Sequence, residues 1–422
     1  MDEGLQEDIV IVGAGIAGLA TALGLHRMGL KCFILESHDA LRTTGFGLTT
    51  WTNAWKALEA LGVADSLRHQ HVQLQRVSVT TLATGATTHT PLTGQGKCGQ
   101  FETRCLRRDL LVEALARELP KGCIKFGAKV ANMEVKDYKS PPYLLHLADG
   151  TIIKAKVVIG CDGVNSVVST WLGLQKPAYV GRSEIRGFAN FQDGHGFEPD
   201  FLQYINDDFQ VGLIPCNNQT IYWFFTWSPT HQEREIEDDP DKMKQLVLEK
   251  TRDILKNVQD VIERTRVECL NTSRLRCRWP WCLIHGNICK GNVCVAGDAF
   301  HCMTPDIGQG GCSALEDGVV LARCLGEAIL DGEKGIEEKR ISMALEKYVK
   351  ERKWRAIMIT TVAYFFGFLQ QGHGKVKTFL WDKLLSRIMQ RRRMAITDFN
   401  CGSLQNPASL RPHPNYSGSA RL

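Results

Sequence analysis

The chain has 422 residues, a formal net charge of +5 and 44% hydrophobic residues. These values are typical of a globular protein that is long enough to bury a substantial core in two joined lobes. The charge is mild, and no broad basic surface with interleaved aromatic residues is evident, so we expect no nucleic-acid partner. We interpret the three consecutive arginines at residues 391–393 as part of a solvated helix face.

Fifteen cysteines are scattered along the chain without the paired spacing of a metal site, so we expect neither a metal centre nor disulfide bonds. The first predicted strand begins at Asp8 behind an acidic N-terminus, which leaves no room for a targeting peptide and favours a cytoplasmic location. The most apolar stretch, residues 357–369, is too short to span a bilayer, and we expect no stable membrane insertion. The ending Ala420-Arg421-Leu422 approximates a peroxisomal address and makes peroxisomal import the alternative.

The first glycine-bearing segment follows an apolar strand predicted at residues 8–12 and opens a helix predicted over 19–28. Its fingerprint residues are Gly13, Gly15, Ile16, Ala17 and Gly18. At this spacing the glycines permit a tight turn, the approach of a pyrophosphate to the backbone, and close packing of helix on strand. Glu36 ends the next predicted strand, where a carboxylate can bind a ribose hydroxyl. The segment predicts a dinucleotide site but does not separate FAD from NAD.

The remaining pattern predicts an α/β protein whose nucleotide-binding lobe is interrupted by a β-rich lobe. Apolar strands lead into Gly160-Cys161-Asp162-Gly163 and into Gly297-Asp298, and alternation of apolar and polar residues between 178 and 278 favours an antiparallel sheet. Helices are predicted over 104–119, 235–256, 313–330 and 342–370. The predicted boundaries are 1–75, 101–177 and 281–400 for the nucleotide-binding domain with its C-terminal helices, 76–100 and 178–280 for the substrate domain, and 401–422 for a disordered tail.

The glycine fingerprint, the Asp162-Gly163 motif and the Gly297-Asp298-Ala299-Phe300-His301 motif together resemble those of the FAD-dependent aromatic hydroxylases, the group A or para-hydroxybenzoate hydroxylase-like family. Residues 308–323 are most similar to the plant branch of this family, which includes monooxygenase 1-like proteins and is related to zeaxanthin epoxidases. The resemblance covers roughly residues 8–370. It implies a Rossmann-like FAD-binding domain of the glutathione reductase type, interrupted by a β-rich substrate domain and followed by C-terminal helices.

The resemblance also implies roles for residues along the FAD. The ADP half would be held by Gly13, Gly15, Gly18 and Glu36. Arg107 matches the arginine that reaches the phosphate and ribitol region, with Arg108 as the alternative if the register shifts by one. Asp162 would serve FAD and NADPH binding, and Asp298 would bind a ribitol hydroxyl. The family usually carries an arginine seven residues after Asp162, but here that position is Ser169, which weakens the expected NADPH contact.

Four residues are assigned by the resemblance to the chemistry of the flavin ring: Arg42, Pro305, Gly308 and Gly310. Pro305 would lie over the ring, and Arg42 matches an arginine beside the mobile flavin. Gly308, Gly310 and Gly311 would turn backbone N–H groups toward the pyrimidine edge of the ring. Such donors stabilise the negative charge that a reduced flavin carries.

The substrate pocket is predicted in the β-rich lobe. Arg186 and Tyr204 are candidate contacts for a phenolate or carboxylate, and Trp223 and Phe225 are candidate aromatic walls on one face of a strand. The family implies a monooxygenase that uses NADPH or NADH and O2 to insert one oxygen atom into a small aromatic, phenolic or hydroxybenzoate-like substrate through a flavin C4a-hydroperoxide. An FAD-dependent epoxidase of a terpenoid or alkene and a non-catalytic FAD-fold binding protein are the alternatives. The sequence leaves the oligomeric state open.

Overall fold

The computed structural model describes residues 6–42, 46–137, 140–330, 338–370 and 386–404. Of the disordered tail predicted over 401–422, residues 401–404 are described and Cys401 is buried, whereas residues 405–422, with the Ala420-Arg421-Leu422 ending, lie outside these ranges. Two sheets dominate the described chain. One is largely parallel and the other mostly antiparallel, which confirms the predicted α/β fold with a β-rich substrate domain and C-terminal helices.

The strands follow one another along the chain in nineteen short segments of the described residues. They are β1 (Gln6–Val12), β2 (Phe33–Leu35), β3 (Gly47–Thr50), β4 (Arg76–Thr81), β5 (Thr87–Pro91), β6 (Gln95–Gly96), β7 (Gly99–Gln100), β8 (Arg104–Arg107), β9 (Ile124–Lys125), β10 (Val130–Asp137), β11 (Ser140–Leu147), β12 (Ile152–Gly160), β13 (Ala178–Asn190), β14 (Asp200–Ile205), β15 (Phe209–Pro215), β16 (Thr220–Trp227), β17 (Asn271–Cys277), β18 (Cys289–Lys290) and β19 (Val293–Val295).

The described helices range from one turn to more than thirty residues in length. They are α1 (Ile16–Arg27), α2 (Thr52–Leu61), α3 (Ala64–Arg68), α4 (Arg108–Arg117), α5 (Val167–Trp171), α6 (His231–Glu235), α7 (Pro240–Lys250), α8 (Lys256–Arg264), α9 (Pro280–His285), α10 (Asp298–His301), α11 (Gly310–Leu330), α12 (Glu338–Gln370) and α13 (Ser386–Thr397). A 3₁₀ turn at Pro305–Ile307 precedes α11.

The nucleotide-binding sheet has eight strands in the order β10-β11-β12-β1-β2-β9, with β19 also paired to β12 and β18 to β19. The strands at its centre run parallel. Val10 and Ile11 are fully buried, as expected for a parallel strand covered on both faces. Helices α1 and α11 pack closely against each other. The glycine at 318 leaves room for this contact, since an added Cβ there would lie only 2.7 Å from the Ala20 Cβ atom. This layer carries the strand ends that open on the site.

The second sheet has seven strands in the order β17-β13-β16-β15-β14-β4-β5, and its pairs are antiparallel except for β14 with β4. Its strands come from residues 76–91, 178–227 and 271–277, while the predicted domain boundaries themselves stay a prediction. One face packs against α7 and α8, where Trp223 and Phe225 join a separate hydrophobic core. Side chains of the opposite face line the cavity described below.

Two predicted helices are wrong in their bounds. The helix predicted over 104–119 begins only at Arg108, because Arg104–Arg107 forms β8 and pairs with β3. The single helix predicted over 235–256 is instead the end of α6, the whole of α7 and the first residue of α8, separated by non-helical residues. Asp239 caps α7 by accepting a hydrogen bond from the Lys242 N–H, and proline at the first helical position sets its start.

The apolar stretch at 357–369 forms the end of α12. On its inner face Phe366 packs with Ile307 and Ile396 in a small core, whereas Phe365 on the outer face is about half exposed. The apolar stretch is therefore buried on one face only. Within the part of the chain that the structure describes, no helix combines the length and apolar character needed to cross a membrane.

Candidate active site

A large cavity of about 770 Å³ is lined by residues of both sheets and of the segment 297–315. Its volume lies in the usual range for small-molecule sites. The turn after β1 forms one end, and side chains from β13, β14, β15 and β16 form the other. The fold thus brings the three glycine-bearing motifs and the second sheet to one space.

The fingerprint turn after β1 has the geometry of a phosphate-binding turn. The wall of the cavity includes Gly13, Gly15, Ile16 and Ala17. Gly13 has φ +101°, and an added Cβ would lie 2.5 Å from the Cys161 carbonyl oxygen. At Gly18 an added Cβ would lie 1.9 Å from the Gly13 oxygen, so this glycine serves helix packing. Gly15 has no protein atom within 4 Å of an added Cβ, so a ligand can approach its backbone.

Glu36 lies on the cavity wall at the end of β2. Its Oε2 atom accepts the Ala14 N–H at 2.7 Å, and its Oε1 atom lies 2.8 Å from His38 Nδ1. Burial alone would raise the pKa of Glu36, but hydrogen bonds from Ala14, His38 and Ser37 lower it below its usual value. Glu36 is therefore a carboxylate, placed to accept hydrogen bonds from ligand hydroxyls.

The structure places Arg108 rather than Arg107 on the cavity wall. Arg107 instead turns its Nη2 atom to Asp109 Oδ2 at 2.5 Å, and its guanidinium lies over the Phe188 ring. Arg108 donates to the Arg42 carbonyl oxygen at 2.6 Å, and Arg42 also lines the cavity. Burial and the charge of Arg42 lower the pKa of Arg108. The geometry favours Arg108, the alternative in the sequence analysis, over the first choice, Arg107.

Two acids predicted to contact the cofactor lie on the cavity wall and differ in how far their carboxylates are hydrogen-bonded within the protein. Asp162 is already bonded, because its oxygens accept from Ser166 Oγ at 2.5 Å and from the Val167 N–H at 2.7 Å. Asp298, at the start of α10, is exposed to the cavity interior, and none of the described residues donates a hydrogen bond to its carboxylate. Burial raises the pKa of Asp298. Asp298 is thus the freer acceptor for a ligand hydroxyl.

The loop before α11 presents backbone donors to the same cavity. Pro305 begins the 3₁₀ turn, and the Gly308 N–H closes it on the Pro305 oxygen at 2.8 Å. Gly308 has φ +64°, and Gly310 has open space where a Cβ would point. Gly310 and Gly311 begin α11, so their N–H groups lack partners within the helix and lie at its positive dipole end. All four residues line the cavity.

A buried charge network ties this region together. Asp317 of α11 accepts the Gly297 N–H at 2.8 Å and lies 2.6 Å from His301 Nε2. Arg352 of α12 donates its Nε–H to the same carboxylate at 2.7 Å. Burial would raise the pKa of Asp317, but the charges of His301 and Arg352 outweigh it and lower the pKa to about 2. The network fixes the Gly297–Asp298 segment against both helices.

The sheet end of the cavity combines an aromatic surface with hydrogen-bonding groups. Tyr222 and Phe224 of β16 line it, and Tyr222 is fully enclosed. Gln203 of β14 donates its Nε2–H to Gln210 Oε1 of β15 at 3.0 Å. Burial raises the pKa of Tyr222 well above its usual value, so its hydroxyl stays protonated. This surface can hold a planar ring and bond its polar substituents.

Arg186 of β13 lines the cavity but is already paired. Its Nε atom lies 3.0 Å from Glu184 Oε2, and its Nη2 atom donates to Ser273 Oγ at 2.6 Å. The guanidinium also lies 4.3 Å from the centroid of the Phe46 ring. Burial raises the pKa of Glu184, and the charge of Arg186 opposes that rise. The positive charge at this end is therefore compensated within the protein.

The structure places the other three predicted substrate residues away from the cavity. Trp223 donates its Nε1–H to Thr265 Oγ1 at 2.8 Å, and Phe225 stacks on Phe209 at 5.1 Å, both in the core beneath α7 and α8. Tyr204 belongs to that core as well, and none of the three predicted aromatic residues lines the cavity. Successive side chains of a strand point to opposite faces, and the predicted residues lie on the face that is turned away from the cavity.

Sequence reasoning missed the residues that do line the sheet end: Glu184, Gln203, Gln210, Tyr222 and Phe224. A signal was present for two of them. Gln203 and Gln210 stand inside largely apolar strands, and buried polar side chains in such strands need partners. The solvated-face interpretation of residues 391–393 is also wrong for Arg393, which is 2% exposed and lines the cavity.

The residues around the cavity fit FAD. Open space lies at Gly15 near one helix N-terminus and at Gly310 near another, which suits a ligand with an anionic group toward each end. Glu36 and Asp298 offer carboxylates for hydroxyl groups, and Arg108 offers a cation. A dinucleotide with ribose and ribitol hydroxyls, two phosphates and an electron-rich ring edge matches this donor and acceptor set.

Comparison with known proteins agrees with this assignment. The profile of the family described as FAD binding domain matches residues 6–362. Monooxygenase 2 of Arabidopsis thaliana is 48% identical over 413 residues, which cover 96% of this chain and 100% of that protein. Monooxygenase 1 of the same plant is 36% identical over 407 residues, which cover 94% of this chain and 99% of that protein.

A solved structure shares the fold. Klebsiella pneumoniae HpxO complexed with FAD and uric acid matches with a TM-score of 0.77 and 22% identity, covering 95% of this chain and 99% of that chain. The family profile spans most of the chain, and both plant relatives match along almost their whole length. The chain therefore belongs to the FAD-binding-domain family of FAD-dependent monooxygenases, as a homologue of the plant monooxygenases 1 and 2.

Proposed function

We propose that this protein consumes NADPH or NADH and transfers one oxygen atom from O2 to a small aromatic substrate, phenolic or hydroxybenzoate-like. The observation that carries the proposal is the union of two surfaces in one cavity. The fingerprint turn, Asp298 and the Gly308 loop form the part that fits FAD. Tyr222 and Phe224 form an aromatic wall in the same cavity, and the proposal places the substrate there.

FAD, when bound, supplies the reduction of O2 and the transfer of one oxygen atom to the substrate. The protein contributes binding and orientation. In the proposal, Glu36 and Asp298 accept hydrogen bonds from hydroxyl groups of the cofactor, and Arg108 compensates negative charge on its phosphates. The backbone at Gly15 gives the phosphates access to the N-terminal N–H groups of α1.

The start of α11 is proposed to hold the negative charge that reduction places on the flavin ring. Gly310 and Gly311 line the cavity at the positive dipole end of the helix, and in the proposal their N–H groups bond the edge of the ring. Pro305 and Gly308 set the turn that aims these groups. The buried contacts of Asp317 keep the adjoining segment in place, so the donors are preorganised.

At the sheet end, recognition rests on hydrogen bonds and ring contacts. The Tyr222 hydroxyl is a donor to a substrate oxygen, and the Gln203–Gln210 pair offers an amide donor and acceptor. A phenol carries a ring, a donor and an acceptor, which suits this surface. Phe224 and the neighbouring aromatic side chains exclude water from the reacting ring. HpxO was crystallised with uric acid, also a planar ring with polar substituents, which supports this substrate class.

An epoxidase of a terpenoid or alkene is the second candidate. The polar groups of Glu184, Gln203 and Gln210 at the sheet end favour a ring with hydrogen-bonding substituents over a hydrocarbon. A cytoplasmic location, with peroxisomal import as the alternative, stays a prediction. Similarity to two plant monooxygenases along almost their whole length disfavours the third candidate, a non-catalytic FAD-binding role.

The test is oxidation of NADPH and of NADH by the FAD-loaded protein under air. The panel contains phenols, hydroxybenzoates and terpenoid alkenes, with peroxide and product quantified and the oxygen traced from ¹⁸O2. We expect one phenolic compound to stimulate oxidation and to gain one labelled oxygen atom. An epoxide from an alkene would favour the second candidate. Failure of both nucleotides to reduce the flavin with every compound present would leave a binding role.

A further inference from the structure

Arg393 of α13 is a buried cation at the cavity, and no acid among the described residues is paired with it. It is 2% exposed, and its guanidinium lies 4.9 Å from the ring centroid of Trp51 and 5.8 Å from that of Phe366. Its Nε and Nη2 atoms have no hydrogen-bond partner, and it forms no salt bridge with any acid of the described chain. Burial lowers its pKa to about 10, so it stays charged at neutral pH.

A buried charge without a partner is costly, and proteins ordinarily compensate it. Arg392, the preceding residue of the same helix, is exposed to solvent and does not carry this cost. The aromatic rings of Trp51 and Phe366 offset part of the charge but supply no hydrogen-bond acceptor. Since Arg393 lines the cavity, a bound ligand can supply the negative charge that no described residue provides.

Trp51 adds a second unpartnered donor beside Arg393. Its Nε1–H is buried and makes no hydrogen bond with the described residues. An added Cβ at Gly308 would lie 3.1 Å from this nitrogen, so the indole lies directly against the Gly308 turn. Trp51 also lines the cavity. The cation, the indole N–H and the N-terminus of α11 therefore lie in one neighbourhood.

We propose that Arg393 and Trp51 form an anion-recognition site on the Gly308 side of the cavity, an inference that rests on the proposed function. The ligand chemistry is an anionic oxygen-bearing edge of a planar ring. Two sources carry it: the pyrimidine edge of reduced FAD and the carboxylate of a hydroxybenzoate-like substrate. Arg186 does not offer this chemistry at the sheet end, because Glu184 already compensates it.

The experiment uses the FAD-loaded full chain in its oxidised state, with Arg393→Met, Arg393→Lys and Trp51→Phe. Arg392→Met is the matched control on the exposed side of the same helix. One arm titrates sulfite, which adds to oxidised flavins and leaves negative charge on the pyrimidine edge. The other arm compares benzoate with benzamide, which have the same ring but differ in charge. Both arms follow the flavin absorption spectrum and need no turnover.

A flavin source predicts that Arg393→Met weakens sulfite binding about tenfold or more and leaves the benzoate-to-benzamide ratio unchanged. A substrate source predicts that benzoate binding falls about tenfold while benzamide binding is retained. Arg393→Lys keeps the positive charge and should retain most of the binding of either probe. Arg392→Met should change the binding of neither probe. Trp51→Phe weakens the affected probe in the same direction but by less, because it removes one neutral donor.

The proposal is overturned if FAD-loaded Arg393→Met binds both probes within about twofold of the unaltered protein. It is also overturned if neither probe binds the unaltered protein. Should Arg393→Met fail to retain FAD, Trp51→Phe decides, and unchanged affinity for both probes again rejects the site. Failure of the proposed function would show separately, as the absence of an oxygenated product in the turnover assay.

Discussion

The side chains of Glu184 and Arg186 lie on the same face of β13. The Glu184 Oε2 atom lies 3.0 Å from Arg186 Nε on the cavity wall. Positions two apart on a strand share a face, which brings both charges to one ligand surface. Removing one member of a buried pair leaves the other uncompensated. The pairing therefore decides which charge the sheet end offers to a substrate.

Glu184→Gln keeps the shape of the side chain and removes its charge. We expect the freed Arg186 to favour anions, so that binding of a hydroxybenzoate relative to the matching phenol improves about tenfold. The two dissociation constants can be measured from changes in the flavin absorption. Adding Arg186→Met to the variant should cancel the gain, and an unchanged ratio in Glu184→Gln would contradict the assignment.

Gly15→Ala and Gly18→Ala test the fingerprint turn as a pair. The Gly15 variant has room for its Cβ, so we expect the apoprotein to melt within about 2 °C of the unaltered protein but to bind FAD at least about tenfold more weakly. The Gly18 variant places a Cβ against the Gly13 oxygen and should lose about 1–3 kcal/mol of stability even without FAD. Calorimetry of the apoproteins and FAD titration separate the two effects. Equal loss of apoprotein stability in both variants would disprove the distinction.

Asp298→Ala removes the free acceptor on the cavity wall. The loss of a hydrogen bond to a charged group corresponds to about 1.5–3 kcal/mol, so we expect FAD to bind roughly 10- to 150-fold more weakly. FAD content after purification and quenching of flavin fluorescence measure the change. Asp149→Ala, at an exposed turn, is the control and should retain FAD. Normal FAD content in Asp298→Ala would contradict the role of Asp298 as a hydrogen-bond acceptor for the cofactor.

Phe224→Ala and Phe225→Ala separate the two faces of β16. Phe225 is fully buried beneath the helices, so its truncation should cost about 3–5 kcal/mol of unfolding free energy. Phe224 is only half-buried and lines the cavity, so its truncation should raise KM for the substrate with a smaller loss of stability. Urea unfolding and steady-state kinetics give both quantities. A larger KM effect at Phe225 than at Phe224 would reverse the assignment of the faces.

Asp317→Asn tests the buried network through its pH dependence. The pKa of Asp317 is lowered from 3.8 to about 2, so this carboxylate contributes stability that is complete above about pH 4 and is lost as the pH falls toward about 2. We expect the variant to lose about 1.5–3 kcal/mol at pH 7, because the charged hydrogen bond between Asp317 and Arg352 is weakened while Arg352 keeps Glu316 as its other partner. Urea unfolding between pH 7 and pH 3 should show the difference from the unaltered protein narrowing below about pH 4. A difference that stays constant over this range would disprove the linkage.

The sequence predicted the features that are encoded locally. The fingerprint turn and the position of Asp298 after a buried strand follow from residues that are neighbours in the chain. The sequence could not predict which face of β16 lines the cavity. Alternation shows which residues share a face, but not which part of the protein that face contacts. Arg393 was mistaken for a solvated residue because its burial depends on Trp51 and Phe366, which lie far away in the chain.

The alternation of β16 also bears on how such an enzyme can diverge. Positions 222 and 224 line the cavity, whereas 223 and 225 pack the sheet against its helices. Natural selection can therefore alter one set of side chains while the other preserves the scaffold. A new substrate preference is accessible to this lineage through single substitutions within a strand, without new loops and without loss of the cofactor site.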